Sequence, residues 1–309
     1  MLTSPVPRCL KAQTQAEIHF FTKKQFASLV EANPNIDKVF LLENSLPAVI
    51  GKLKAEKYDL IVDLHHNLRS MRVKKALGIP SKSFNKLNVE KWLMARFKIN
   101  RLPNRHIVDR YLETVAHLSV KNDGKGLDFF IRKEDEVALS IVSPKLQNGY
   151  IAFAIGAKYN TKKLPVEKII SICGKIEKPV VLLGGKEDVE AGNQIAKVCS
   201  NVIDTCGKMS IGQSTSLVKQ ADAIISHDTG MMHIAAAFQK KIISVWGNTV
   251  PEFGMYPYLP ENPELSTIVE VKNLPCRPCS KIGYDQCPKG HFKCMREIDE
   301  KVIVGAVEN

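Results

Sequence analysis

An apolar run ends at Ser226-His227-Asp228-Thr229-Gly230-Met231-Met232-His233, and a helix-like stretch begins in the same turn. The first turn of a helix has free backbone N–H groups and the positive end of the dipole, so it is a ready anion site. Asp228 or Thr229 can cap that helix. Gly230 lets a ligand approach the backbone, and His233 lies close enough in sequence to point into the same cleft. A capped helix whose histidine packs in the core fits the pattern as well. Two other strand ends carry chemistry-bearing residues. Leu183-Gly184-Gly185-Lys186-Glu187 enters a helix through a glycine turn, a weak signal by itself. The stretch 156–165 carries Lys158, Lys162 and Lys163, which near a cleft would suit a diphosphate. Solvated loop lysines are the plain alternative.

Parallel sheets would place all three turns on one side. Val-, Ile- and Leu-rich runs alternate with helix-like stretches almost throughout, the signature of parallel strands covered on both faces. In the first half, strands are expected at 17–21, 37–42 and 58–64. Helices are expected after a Thr22 cap, near 46–56, from Asn67 to a stop at Gly78, and over 106–118, with Ile107, Tyr111, Val115 and Leu118 on one face. In the second half, strands are expected at 150–157, 179–185, 223–227 and 241–247. The helices between them start near Pro165, Glu187, Ser210 and Thr229. The polar stretch 143–149 separates two such patterns. This predicts an α/β protein with two doubly wound, Rossmann-like domains, 1–147 and 148–309, facing a cleft. Ligands of such sheets bind outside the carboxyl ends of the strands.

The 309 residues, 44% hydrophobic and 25% charged, suffice for two cores. No segment reaches the roughly 18 apolar residues of a membrane span. The first residues lack the basic and apolar regions of a signal peptide, so a cytoplasmic location is expected. The net charge of +12 is one-sided. Residues 1–150 hold 25 Lys/Arg against 15 Asp/Glu, a net of +10, and the remainder 19 against 17, a net of +2. Between Arg69 and Arg110, twelve basic residues face only Glu90 and Asp109. Such a field attracts anionic partners, although a solvated basic surface is equally consistent with it. Residues 91–98 mix cations with Trp92, Leu93, Met94 and Phe97, as membrane-surface helices do. No aromatic-basic signature or helix-turn-helix argues for nucleic acid. Cys276, Cys279, Cys287 and Cys294 form a cluster with one Cys-x-x-Cys; packed thiols are the default reading and a zinc site the alternative.

Taken together, these motifs resemble glycosyltransferase family 9, the lipopolysaccharide heptosyltransferase family, whose fold is of GT-B type. His227-Asp228-Thr229-Gly230-Met231-Met232-His233 and the alanines that follow look like the family's D-[TS]-G-x-x-H-x-A-x-A. The order GA…KxLP, LLGGxE, DTGxxH, VWG matches the family's second domain, and YDLIVDLHHNLRS is similar to its D-L-x-x-N-x-R-S segment. The likeness covers essentially the whole chain and is most specific over 224–247.

The resemblance implies an inverting sugar transfer from a nucleotide diphosphate, typically ADP-heptose, to the lipopolysaccharide inner core. It implies that Lys162 holds the donor diphosphate and that Asp228, Thr229, Gly230 and His233 form the donor turn. It further implies that Gly184, Gly185 and Glu187 form a second donor loop and that Arg69 faces the acceptor. The implied location is the inner face of the inner membrane, against its anionic surface. The chemistry agrees. An oxocarbenium-like transition state sheds a diphosphate, and a lysine with helix N–H groups can carry the growing charge. No cofactor is expected, and no metal is required where protein cations neutralise the leaving group. The family's general base is an aspartate in an amino-terminal loop, R-x-[SG]-x-x-G-D, followed by T-x-P. This chain opens at Met1-Leu2-Thr3-Ser4-Pro5, just after that loop. The base is therefore expected upstream of Met1, in a longer protein that is more soluble and active, and no catalytic residue is assigned within the chain. Asp63, His65 and His66 end a strand on the cleft side and could assist the acceptor, without the base role. An inactive relative and a sugar-nucleotide epimerase of related fold are the alternatives.

Overall fold

A computed structural model describes residues 1–308. Its largest element is a sheet of six parallel strands: β5 (Ile151–Ala154), β6 (Val180–Leu183), β7 (Val202–Asp204), β8 (Ala223–His227), β9 (Lys241–Trp246) and β10 (Ser266–Glu270). The spatial order is β10-β9-β8-β5-β6-β7. The chain thus starts in the middle of the sheet, winds outward through β6 and β7, then crosses back to β8 and winds the other way. The switch point lies between β5 and β8, where Ala154 pairs with Ser226. Strands β5, β6 and β8 are buried at every residue, which explains their unbroken apolar runs.

The first half holds two parallel pairs, β1 (His19–Lys23) with β2 (Lys38–Leu42) and β3 (Ile61–Asp63) with β4 (Ser81–Ser83). A small core of Phe40, Val49, Leu53 and Val73 lies beneath the helices Leu46–Ala55 and Leu68–Leu77. Gly78, at φ +67°, stops the second helix as expected. The two halves are not insulated. Val6, Val108, Val115 and Leu127 share one apolar cluster with Leu146, Tyr150, Leu217 and Ile224. Leu146 lies inside the polar stretch 143–149, so that stretch is anchored by one buried side chain rather than hanging free.

Several local expectations are corrected. Thr22 caps nothing: it continues β1, and the next element is the 3-10 helix Lys24–Leu29. The 106–118 stretch is an α-helix only over Ile107–Leu112, then a 3-10 helix over Glu113–Leu118. Tightening the turn moves Leu118 off the buried face, and it is exposed while Ile107, Tyr111 and Val115 are covered. No helix among the described residues is long and apolar enough to cross a membrane.

Candidate active site in the cleft

The switch point gathers the informative turns. Lys162 follows β5 and Asp228 follows β8, and the lysine Nζ donates to Asp228 Oδ2 at 2.5 Å and to its carbonyl at 3.2 Å. The carboxylate is only 9% exposed. Its Oδ2 also accepts the hydroxyl of Thr249, at 2.8 Å, from the loop after β9. Three strand ends therefore meet on one carboxylate. Thr229 is the N-cap residue of the helix Gly230–Ala237, with extended backbone. Its side chain makes no capping bond and turns to Ser226 Oγ at 3.3 Å. The first-turn N–H groups are thus left without a side-chain acceptor. A side chain added at Gly230 would meet no atom within 4 Å, so the space in front of that turn is open.

The Gly184–Glu187 loop, expected to be a second donor loop, follows β6, next to β5. Gly184 is a packing glycine, since a Cβ there would strike Asp188 Cβ at 2.8 Å and Cys206 Sγ at 2.9 Å. Gly185 donates its N–H to Asp188 at 2.9 Å, and Asp188 binds Lys163 at 2.6 Å. Glu187 is exposed, folded back over Gly185. The three lysines are therefore not equivalent. Lys163 is spent on Asp188, Lys158 stacks over Tyr159, and Lys162 alone reaches the β8 turn.

His227 and His233 are both buried. His227 is fully covered, and its Nε2 accepts the N–H of Leu164 at 3.0 Å, which pins the lysine loop to β8. Burial, then Lys163, pushes its pKa down to about 4. His233 is pushed down to about 3 by burial, with His106 and Lys162 adding to the effect. Both rings are neutral near pH 7.

The amino-terminal half supplies a different chemistry. Asp63 is a loop organiser: it accepts the N–H groups of His65 and His66 and the Ser70 hydroxyl, and pairs with Lys74 at 3.0 Å. Burial raises its pKa, but these donors outweigh burial and the net shift is downward. Asp63, Asp188 and Asp228 are thus each committed to a lysine. Arg69 sits half-buried in the first turn of its helix with no ion pair among the described residues.

Sequence reasoning missed the most unusual cation. Arg110 is 5% exposed, and Nε, Nη1 and Nη2 all lack a hydrogen-bond partner among the described residues. Beside it, burial and then Arg110 itself push Lys91 down to about 8. Lys91 turns inward over the Phe253 ring, 5.9 Å from its centroid. Lys98 is exposed, and its Nζ donates to the carbonyls of Cys276 and Pro278. Both lysines therefore reach residues of the second half. The seam between the halves runs alongside, with Ile107 N–H on Gly254 O at 2.8 Å and His106 Nε2 on Tyr256 O at 2.9 Å. The tail cysteines are free thiols, and no three acidic, His or Cys side chains among the described residues are arranged to hold a metal.

Residues 47–286 match the family described as glycosyltransferase family 9 (heptosyltransferase). The chain belongs to glycosyltransferase family 9. It is a glycosyltransferase, and its fold is GT-B. A curated family 9 relative, lipopolysaccharide heptosyltransferase 1 of Campylobacter coli, is 24% identical over 264 residues, 77% of each chain. Among solved structures, the family 9 glycosyl transferase of Veillonella parvula superposes with a TM-score of 0.78 at 22% identity, covering 99% of this chain and 92% of that one. The ADP-heptose LPS heptosyltransferase II of E. coli gives 0.71 at 18% identity, covering 99% and 93%. Both likenesses speak for the family 9 fold.

Proposed function

We propose that this family 9 enzyme transfers a heptose, or a related sugar, with inversion from an ADP-sugar to the inner core of lipopolysaccharide. Residues 1–147 hold the acceptor and 148–309 the donor. The observation that carries the reading is Lys162, held at the switch point by Asp228, whose carboxylate also accepts from Thr249, in front of an open helix N-terminus. The acceptor oxygen attacks the anomeric carbon as the bond to the diphosphate breaks, and the electron pair leaves on the diphosphate. Lys162 and the N–H groups after Thr229 meet that charge. The acceptor proton needs a carboxylate base. Asp63, Asp188 and Asp228 are each already committed to a lysine. Arg110 and Lys91 await an anion, and a phosphate or carboxylate on the acceptor core supplies one, with Arg69 as a more exposed contact. The names of the relatives support ADP-heptose and lipopolysaccharide as the two substrates.

The test uses purified protein, ADP-heptose and heptose-free lipopolysaccharide. Release of ADP only with acceptor present, together with an acceptor heavier by one heptose, is expected. Equal ADP release without acceptor, or an altered sugar that stays on its nucleotide, overturns the reading.

The enzyme works at the anionic inner face of the inner membrane. Leu68, Met71, Val89, Trp92 and Phe97 are exposed on two neighbouring helices, Leu68 by 74%. Trp92 and Phe97 stack edge to face at 5.2 Å. Arg69, Arg72, Lys75, Lys86 and Arg96 belong to the same segments. Apolar side chains among cations match a headgroup surface. Binding to vesicles rich in anionic lipid is expected to exceed binding to neutral ones and to fall with salt. Equal binding to both removes the membrane from the proposal.

A further inference from the structure

The turn after β9 is held in an unusually complete way, and it supplies Thr249 to the donor site. Arg277, in the tail, is 6% exposed at its side chain. Its Nε donates to Gly247 O at 2.5 Å, its Nη1 to Val271 O at 2.8 Å, and its Nη2 to Thr249 O at 2.9 Å. Nη2 also pairs with Glu270 at the end of β10, at 2.8 Å. One guanidinium thus grips both ends of Gly247-Asn248-Thr249 and is itself oriented by a carboxylate. The middle residue is tied too, since Cys279 N–H donates to Asn248 O at 3.2 Å. Gly247 has no room to move: a Cβ there would stand 2.6 Å from Met295 Cε and 2.9 Å from Thr161 O.

The same tail holds the lysine loop. Tyr284 N–H donates to Thr161 Oγ1 at 2.8 Å, and its carbonyl accepts the Thr161 N–H at 3.1 Å and hydroxyl at 2.9 Å. Thr161 precedes Lys162, and Thr249 and Lys162 meet on Asp228 Oδ2. We propose that Arg277, oriented by Glu270, is a positioning residue of the donor site, aiming Thr249 at Asp228 and so setting where Lys162 presents its charge. The guanidinium suits this role because its planar fork of donors matches several fixed carbonyls at once, which an ammonium cannot do. The inference rests on the donor reading given above.

The test is a double-mutant cycle read by calorimetric ADP binding, with Tm measured for every variant. Wild type binds ADP. Arg277→Lys and Thr249→Val each weaken it by about tenfold, and the double variant is no weaker than Thr249→Val alone. Tm falls equally on Arg277→Lys whichever residue stands at 249, so a stability loss alone does not reproduce the pattern. Glu270→Gln keeps the three carbonyl bonds, gives a smaller loss in the same direction, and serves if Arg277→Lys does not fold. Additive losses, or unchanged affinity in Arg277→Lys or Glu270→Gln, overturn the inference while leaving the donor reading intact. If wild type binds neither ADP, GDP nor UDP, the donor reading falls and this inference with it.

Discussion

Replacing Lys162 by methionine is expected to lower kcat for sugar transfer by about 10²–10³-fold, the loss typical of removing one preorganised donor from a developing oxyanion. The lysine is the one cation of its loop that reaches the β8 turn, because Lys163 is engaged by Asp188 and Lys158 lies over Tyr159. In the ligand-free protein its charge is balanced by Asp228. The arriving diphosphate competes with that carboxylate and is joined by the free N–H groups of the Gly230–Ala237 helix. Removing the lysine alone also leaves Asp228, 9% exposed, with Thr249 as its side-chain donor. Part of the damage is then an uncompensated buried charge. The double variant Lys162→Met/Asp228→Asn separates the two effects: it should recover Tm but not kcat. Recovery of both, or a kcat within threefold of wild type in Lys162→Met, would show that the leaving group is stabilised elsewhere.

Replacing Arg110 by methionine should act in opposite directions on stability and on acceptor use. A buried guanidinium without a partner is a cost to the fold, and an apolar side chain of similar length removes it. The variant is expected to be more stable by about 1–4 kcal/mol in denaturant melts, while KM for the lipopolysaccharide acceptor rises at least tenfold and ADP affinity stays unchanged. This is the trade between stability and function that a preformed ligand site imposes. A drop in stability would mean that Arg110 is satisfied within the protein.

Lys91 adds a pH signature. Its pKa is pushed down to about 8 from an unfolded value near 10.5, so between those values the unfolded chain holds a proton that the folded chain has lost. Its contribution to stability therefore rises with pH through that window. Acceptor affinity has the opposite slope, falling above pH 8 as Lys91 loses its charge. An anion bound beside Arg110 raises the Lys91 pKa again, so acceptor binding near pH 8 should take up protons, measurable by calorimetry in buffers of different ionisation enthalpy. Acceptor binding with no proton uptake would place the anion away from Lys91.

The carboxyl-terminal half was legible for a physical reason. Strands β5, β6 and β8 are buried at every residue and appear as uninterrupted apolar runs, with the candidate site residues directly after them, whereas the edge strands β7 and β10 are only partly buried and were not expected. Lys162, Asp228 and the 229–233 turn could be found by asking what stands at the carboxyl ends of strands. The same rule points to Thr249, just past β9. The amino-terminal half was less legible. Its strands are short, only partly buried and paired in twos, so its boundaries shifted, and the 106–118 helix tightened midway. The basic excess between Arg69 and Arg110 was visible, but not its division of labour. Lys91 turns inward, Lys98 reaches the carbonyls of the tail, Arg110 is buried, and the exposed apolar groups stand among the cations that remain outside.

By itself, then, the amino-acid sequence determined the family, most of the alternation of strand and helix, and the turns proposed to bind the donor, because burial pattern and strand-end motifs are local properties of the chain. Tertiary structure decided which lysine meets which aspartate, that three strand ends converge on Asp228, that Arg277 from the tail braces the β9 turn, and that Arg110 is left without a counterion. Those are pairings between residues up to 66 positions apart for Lys162 and Asp228, and partner choice at that separation depends on how the sheet is wound rather than on any spacing along the chain.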